Sequence, residues 1–144
     1  MTFSNLLLSD ITGRVNWFKP VLGNAKFYPA GFAYSTNAVG SLFTNAAPVL
    51  NFKFGSVVVY GDPLAGNITN QVILGASNHV TNDSPNALSL TITTKTGTFK
   101  GSVMDQNLGK MLPFNGVLLQ KQNLGGGFFL GTQESGNVLF YSEF

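Results

Sequence analysis

The chain has 144 residues, of which 44% are hydrophobic, 12% aromatic and only 10% charged, with 17 Gly, no Cys and a formal net charge of +2. That apolar content excludes a globally disordered chain, the length fits one domain with its own core, and the lack of Cys excludes disulfides, thiolate metal sites and cysteine nucleophiles. The cations (Arg14, Lys19, Lys26, Lys53, Lys95, Lys100, Lys110 and Lys121) are dispersed, so no basic run marks a nucleic-acid or anionic-membrane surface.

In chain order, Leu6-Leu7-Leu8 is too short for a signal core and has no basic residues before it. A secreted protein would carry its signal upstream, with Met1 at a domain boundary. No stretch reaches the ~18 apolar residues of a membrane helix. From there the dominant period is two. In Leu88-Ser89-Leu90-Thr91-Ile92-Thr93 the aliphatic residues fall on one face of a strand and the hydroxyl residues on the other. The same reading predicts strands over residues 11–19, 26–35, 49–54, 56–60, 71–74, 88–94, 98–104, 112–120, 127–130 and 137–141. Residues 37–48 allow at most a short turn of helix.

Turn chemistry separates these segments. Gly61-Asp62-Pro63 joins a permissive residue to a fixed one. Asn82-Asp83-Ser84-Pro85-Asn86 is rich in side chains that bond back to the main chain. Lys95-Thr96-Gly97-Thr98 and Asn107-Leu108-Gly109-Lys110 read as hairpin turns, and Gln122-Asn123-Leu124-Gly125-Gly126 as another. Gly-x-Val recurs at Gly13, Gly55, Gly101 and Gly136, at intervals too irregular for a repeat array. Glycines inside strands mark bends or close backbone approach. The whole pattern predicts a single all-β domain over 1–144. Its antiparallel meander of about ten strands closes into a small barrel filled by phenylalanine, with a β-sandwich as the alternative.

The sequence gives little support to catalysis. His79 is the only His, and Asp10, Asp62, Asp83, Asp105, Glu134 and Glu143 show no metal-ligand spacing. A Ca²⁺ ion on loop carbonyls with Asp62 or Asp83 is unsignalled, no cofactor is implied, and no nucleophile elbow surrounds a Ser. Gly125-Gly126-Gly127 precedes a strand rather than a helix, so it is not a phosphate loop. Alternation in 138–144, ending in Phe144, resembles the terminal strand of an outer-membrane barrel. The other segments lack a lipid-facing band, and Pro29 and Pro113 fall inside predicted strands, so membrane insertion is not expected.

Exposed aromatics are the remaining functional signal. Trp17-Phe18, Phe27-Tyr28 and Phe128-Phe129 are adjacent pairs that a strand would split between its two faces. Aromatic rings stack on sugar faces while amides and hydroxyls bond the sugar oxygens, and this chain is rich in both. Trp17, Tyr28, Tyr34 and Tyr60 offer a flat apolar face with a polar handle and are the expected ligand-binding residues. No catalytic or metal-binding residue is expected.

Two blocks carry a family resemblance. Residues Asp10-Ile11-Thr12-Gly13-Arg14-Val15-Asn16-Trp17-Phe18-Lys19-Pro20 and Phe27-Tyr28-Pro29-Ala30-Gly31-Phe32 form the first. The second runs from Phe114-Asn115-Gly116-Val117-Leu118-Leu119-Gln120-Lys121-Gln122-Asn123 through Gly127-Phe128-Phe129-Leu130-Gly131-Thr132 to Ser135-Gly136. Together they resemble a C-terminal, β-rich module of large secreted or surface proteins of verrucomicrobial-type bacteria. The resemblance spans nearly the whole chain. It implies an extracellular or cell-surface setting and one domain of a longer protein, and it carries no catalytic residues across.

The expected function is a non-catalytic binding or display module whose partner is a polysaccharide or other glycan. One alternative is an assembly module that pairs through edge strands or the 138–144 strand with a second copy or a neighbouring domain. The other is a small polysaccharide-active enzyme, which would need two carboxylates across one cleft.

Overall fold

Period-two alternation produces eleven strands among the described residues of the computed structural model, which are 2–6 (backbone alone) and 8–143. They are β1 (Thr2–Leu6), β2 (Ser9–Lys19), β3 (Phe32–Gly40), β4 (Phe54–Tyr60), β5 (Ile68–Leu74), β6 (Val80–Asn82), β7 (Leu88–Thr93), β8 (Thr98–Asp105), β9 (Lys110–Leu119), β10 (Leu124–Leu130) and β11 (Ser135–Ser142). An eight-stranded antiparallel sheet has the order β6-β5-β4-β11-β10-β9-β8-β7, and a three-stranded sheet the order β1-β2-β3. The larger sheet is an up-and-down meander in which the last strand, β11, pairs with the first, β4. It is a barrel nearly closed, with its single gap in the ladder between β6 and β7.

The interior is packed by phenylalanine. Phe99, Phe114, Phe129 and Phe140 are fully buried with Val57, Val59, Val72, Val103 and Val138. Each of these phenylalanines sits directly across the ladder from a glycine: Phe99 from Gly116, Phe114 from Gly101, Phe129 from Gly136 and Phe140 from Gly125. A Cβ on Gly101 would stand 2.6 Å from Phe114 Cζ, and one on Gly125 2.8 Å from Phe99 Cε1. The rings thus fill the space left by the missing side chains, which lets a small barrel curl around large residues. The Gly-x-Val echo follows from this for Gly101 and Gly136, whose following valines (Val103, Val138) are buried, whereas at Gly55 the space is taken by Phe52. Gly13-Arg14-Val15 lies outside the barrel, on β2.

Amide side chains supply the missing ladder at the gap. Asn70, fully buried on β5, donates Nδ2 to Asn82 Oδ1 (3.1 Å) and to Asn86 O (2.7 Å). Asn82 Nδ2 reaches Asn86 O at 2.8 Å, and Asn86 Nδ2 reaches Met104 O at 3.1 Å and Asn70 Oδ1 at 3.3 Å. The turn residues 82–86 therefore do bond back to the main chain, and in doing so they join β5 and β6 to β8.

One barrel end is covered by residues 41–53. Val49 and Leu50 are buried there, and Phe52 packs edge-to-face on Phe140 at 5.2 Å. Amides hold this segment too. Val49 N–H donates to Asn78 Oδ1, Gln120 Nε2 donates to Thr44 O and Val49 O, and Asn51 N–H donates to Asn123 Oδ1.

Several expected elements differ. Residues 26–30 form a loop, because Tyr28 (φ 51°) and Gly31 (φ 69°) leave the extended region, and β3 starts at Phe32. Residues 49–53 are the irregular cap instead of a strand, and 37–40 belong to β3 instead of a helical turn. The turn after β9 is tight, with Asn123 at φ 54°, so Gly125, Gly126 and Gly127 lie within β10. Gly97 and Gly109 take positive φ as their turns require. Pro113 sits on β9 just past the last pair of the β9–β10 ladder.

Candidate functional site

The β2–β3 hairpin carries the expected aromatic residues on a ribbon that neither barrel nor sheet covers. Trp17 and Tyr34 are direct cross-strand partners, 65% and 63% exposed. Phe32 stands two residues from Tyr34 on the same face and meets the Trp17 ring edge-on at 6.0 Å. The Tyr28 ring meets Phe32 edge-on at 5.0 Å. Trp17, Tyr34, Phe32 and Tyr28 therefore form one strip, with Phe32 as the residue that sequence reasoning omitted. Its parity with Tyr34 was the available signal.

The strip is anchored at both ends. At its base the Lys121 ammonium meets Asp10 Oδ1 at 2.6 Å, Leu42 N–H donates to Asp10 Oδ2 at 2.7 Å, and Gln122 Nε2 donates to Leu8 O. The Lys121 hydrogen bond and then the Leu42 amide hold the Asp10 carboxyl below the usual aspartate value, against a smaller opposing effect of burial. At the far end the loop folds on itself through Leu22 N–H to Pro29 O (2.9 Å) and Lys19 Nζ to Tyr28 O (3.0 Å). Tyr28 N–H then donates to Gln133 O at 2.8 Å, Ser135 N–H donates to Tyr28 Oη at 2.8 Å, and the two hydroxyls lie 2.6 Å apart. Tyr28 thus docks the ribbon onto the β10–β11 turn, and its hydroxyl is already engaged.

Tyr60 lies apart, on the outer face of the barrel. It is half-buried, and its cross-strand partner is Asn137, two residues beyond Ser135 on β11. The same row continues through Phe128 and Asn115. Aromatic and amide residues alternate along it, as Asn115, Phe128, Asn137 and Tyr60. Phe129 is buried while Phe128 is about half exposed, as alternation requires. Trp17 and Phe18 are both exposed, because the ribbon has no buried face. Phe27 and Tyr28 are in a loop, where strand alternation does not apply.

Three of the carboxylates have structural partners. Asp10 is paired with Lys121, Asp105 Oδ1 accepts the N–H groups of Asn107 and Leu108, and Glu143 Oε1 accepts Ser56 Oγ–H at 2.6 Å. A shallow cavity of about 530 Å³ beside the barrel gap is lined by Asn67, Thr69, Asn86, Gln106 and Asn107, with Asp105 as its one carboxylate. Among the described residues no three His, Asp or Glu side chains gather at one point. The 138–144 segment does not offer a free edge, since β11 is paired on both sides by β10 and β4. Over Asn137–Tyr141 both backbone edges of that strand are taken within the chain, and Phe144 lies outside the described residues.

No family model, curated protein or solved structure matches this chain.

Proposed function

We propose that the protein is a non-catalytic glycan-binding module working outside the cell or at its surface, within a longer polypeptide. The observation that carries this reading is the Trp17–Tyr34 pair: two large aromatic side chains side by side on a β-ribbon, each nearly two-thirds exposed. Leaving such area in water is unfavourable by ~25 cal/mol per Å², and stacking a sugar ring on it relieves that cost. Phe32 and Tyr28 fix the orientation of Trp17 from one side, so the strip loses little side-chain freedom on binding. On the face of the strip the ladder places Val15, Thr36 and Lys19 beside the rings, and the Lys19 ammonium is already engaged by Tyr28 O at 3.0 Å, so the rings and hydroxyls are what remains for a polyhydroxylated ligand. The Tyr60–Asn137–Phe128–Asn115 row supplies a second surface of the same chemistry.

Trp17 is the only tryptophan, so its fluorescence reports this strip alone. Titration with a panel of neutral polysaccharides is expected to shift and quench its emission with at least one of them. Trp17→Ala and Tyr34→Ala should each abolish retention on that polysaccharide in affinity electrophoresis. Binding that survives both substitutions would move the site elsewhere, and absence of binding to every glycan would overturn the reading.

A further inference from the structure

We infer that β3 is a homodimerisation edge, through which a second copy of this chain extends the three-stranded sheet. The argument begins with backbone groups. β3 pairs only with β2, and among the described residues nothing else meets the backbone of residues 32–39. Gly40 turns both its N–H and its C=O to Ser9 Oγ on the β2 side. By alternation, Ala38, Thr36, Tyr34 and Phe32 point theirs the same way, so Ala33, Ser35, Asn37 and Val39 direct theirs to the open edge. An edge of this length ordinarily carries a charge, a proline or a bulge that discourages pairing. Phe32-Ala33-Tyr34-Ser35-Thr36-Asn37-Ala38-Val39-Gly40 has no charge and no proline, and its β2 ladder is unbroken in register.

The side chains favour this chain's own β3 as the partner. A two-fold antiparallel pairing centred on Thr36 sets Ser35 opposite Asn37 and Ala33 opposite Val39, so the outward groups exchange hydrogen bonds with one another. On one face Phe18, the cross-strand neighbour of Ala33, then continues into Val39 of the second copy, and Phe18 and Val39 are 72% and 56% exposed in the single chain. On the other face Tyr34 lies opposite Ala38, whose own neighbour is Gly13, so a large ring meets a small-residue row. At Thr36 the two hydroxyl residues meet at a close pair, a favourable cross-strand combination. No formal charge approaches its like across the strand, and the net charge of +2 adds little repulsion. One strand edge with Tyr34, Phe18 and Val39 beside it is a smaller contact than the ~800 Å² per partner of a standard interface, so the dimer is weak and concentration-dependent. Both copies would present Trp17 and Tyr34 on the same face of the six-stranded sheet, which doubles the glycan surface, although dimerisation itself does not depend on glycan binding.

Cross-linking tests this directly, because the chain has no cysteine. In the proposed register the two Thr36 Cα atoms lie about 4.5 Å apart, within disulfide range. Thr36→Cys is expected to form a disulfide dimer under mild oxidation, many-fold faster than Val21→Cys, an equally exposed control on the loop. In sedimentation equilibrium the unmodified chain should shift from monomer towards dimer with rising concentration, and Val39→Lys and Asn37→Pro should each stay monomeric. Asn37→Pro removes only an outward N–H, and Val39→Lys decides the matter if the proline variant does not fold. An unmodified chain that stays monomeric to millimolar concentration, or a Thr36→Cys variant that cross-links no faster than Val21→Cys, would overturn the inference. Trp17→Ala should lose glycan retention and still dimerise, which separates failure of one proposal from failure of the other.

Discussion

Phe99 and Gly116 are direct cross-strand partners on β8 and β9, and the Phe99 ring occupies the space that a Cβ on Gly116 would need. The contact is closed on its other side by Gly125 on β10 and by the Phe140 ring at 6.4 Å. Gly116→Ala must therefore displace a buried ring, and its methyl also meets the Gly126 carbonyl oxygen at 2.6 Å. The expected loss of stability is about 2–3 kcal/mol, at the upper part of the range for overpacked cores. Phe99→Leu alone is expected to cost about 1–2 kcal/mol through lost packing. The double variant should be somewhat more stable than the sum of the two losses implies, since the smaller side chain relieves the ring clash while the Gly126 carbonyl still crowds the new methyl. Urea denaturation of the four proteins measures the coupling, and strict additivity would show that the ring and the glycine are not in conflict.

At the barrel gap the same kind of dependence is polar. Asn70 is the fully buried member of the network that ties β5 and β6 to the residues before β7. Asn70→Leu keeps the volume and removes three hydrogen bonds, so that Asn82 Oδ1 keeps only the Ser84 N–H and Asn86 Nδ2 only Met104 O, both on half-buried residues. A loss of about 1–2 kcal/mol is expected, because several bonds of one network go together while their partners are only partly desolvated. Hydrogen exchange should also rise first at Asp83 and Met104, whose amides donate to Gln71 O and Ala87 O at the seam. A uniform rise over the whole barrel would show that the gap is not a local weak point.

Asp10 makes the attachment of the three-stranded sheet sensitive to acid. Lys121 first, and the Leu42 amide second, hold its carboxyl below the ordinary aspartate value of about 3.9. Because the folded-state value is depressed, this contribution is present at neutral pH and is lost as pH falls through the lowered value. The Asp10 carboxyl carbon is thus expected to titrate below the ordinary midpoint in the NMR spectrum. Proteolysis within residues 41–48 should rise with acid on the same curve. In Asp10→Asn that pH dependence should disappear, leaving the segment equally susceptible from neutral pH downwards. An ordinary titration midpoint for Asp10 would refute the clamp.

The barrel was legible in the sequence where strands alternate cleanly. Residues 88–94 and 98–104 read as strands joined by a hairpin turn, because Leu88, Leu90 and Ile92 share one parity and Gly97 supplies the turn, and β7 and β8 match them to within a residue at their ends. The phenylalanine–glycine pairing was not legible, because it depends on register between strands that the sequence does not align. Only the positions of Phe114, Gly116, Phe129 and Gly136 within the motif blocks hinted at it. Val49 and Leu50 read as a strand on hydrophobicity, but they are a cap held by Asn78 and Gln120 from distant turns. The aromatic strip was half legible: Trp17 and Tyr34 were singled out for their side chains, yet their pairing and the absence of a covering layer are tertiary facts. Gln120, Lys121, Gln122 and Asn123 form a polar string in the sequence. In the fold each fastens a different segment (Thr44 and Val49, Asp10, Leu8, and Asn51), and nothing local reveals those partners.

Tyr28 separates the positioning of the strip from its binding surface. Its ring supports Phe32, and its hydroxyl accepts the Ser135 amide, so Tyr28→Phe keeps the ring contact and the Tyr28 N–H to Gln133 O bond and removes only the hydroxyl's ties to Ser135. A hydrogen bond of this kind contributes about 0.5–1.5 kcal/mol, so global stability should fall only slightly. The loop between β2 and β3 should loosen, with faster exchange at the amides of Leu22 and Gly31, which are bonded within it. Glycan affinity is expected to drop a few-fold, whereas Trp17→Ala removes it altogether. Tyr28→Ala, which also withdraws the ring from Phe32, should weaken binding further and broaden the Trp17 emission. Retained affinity in both Tyr28 variants would show that the strip holds its shape without the Tyr28 side chain, and loss as complete as in Trp17→Ala would place Tyr28 in the binding surface itself.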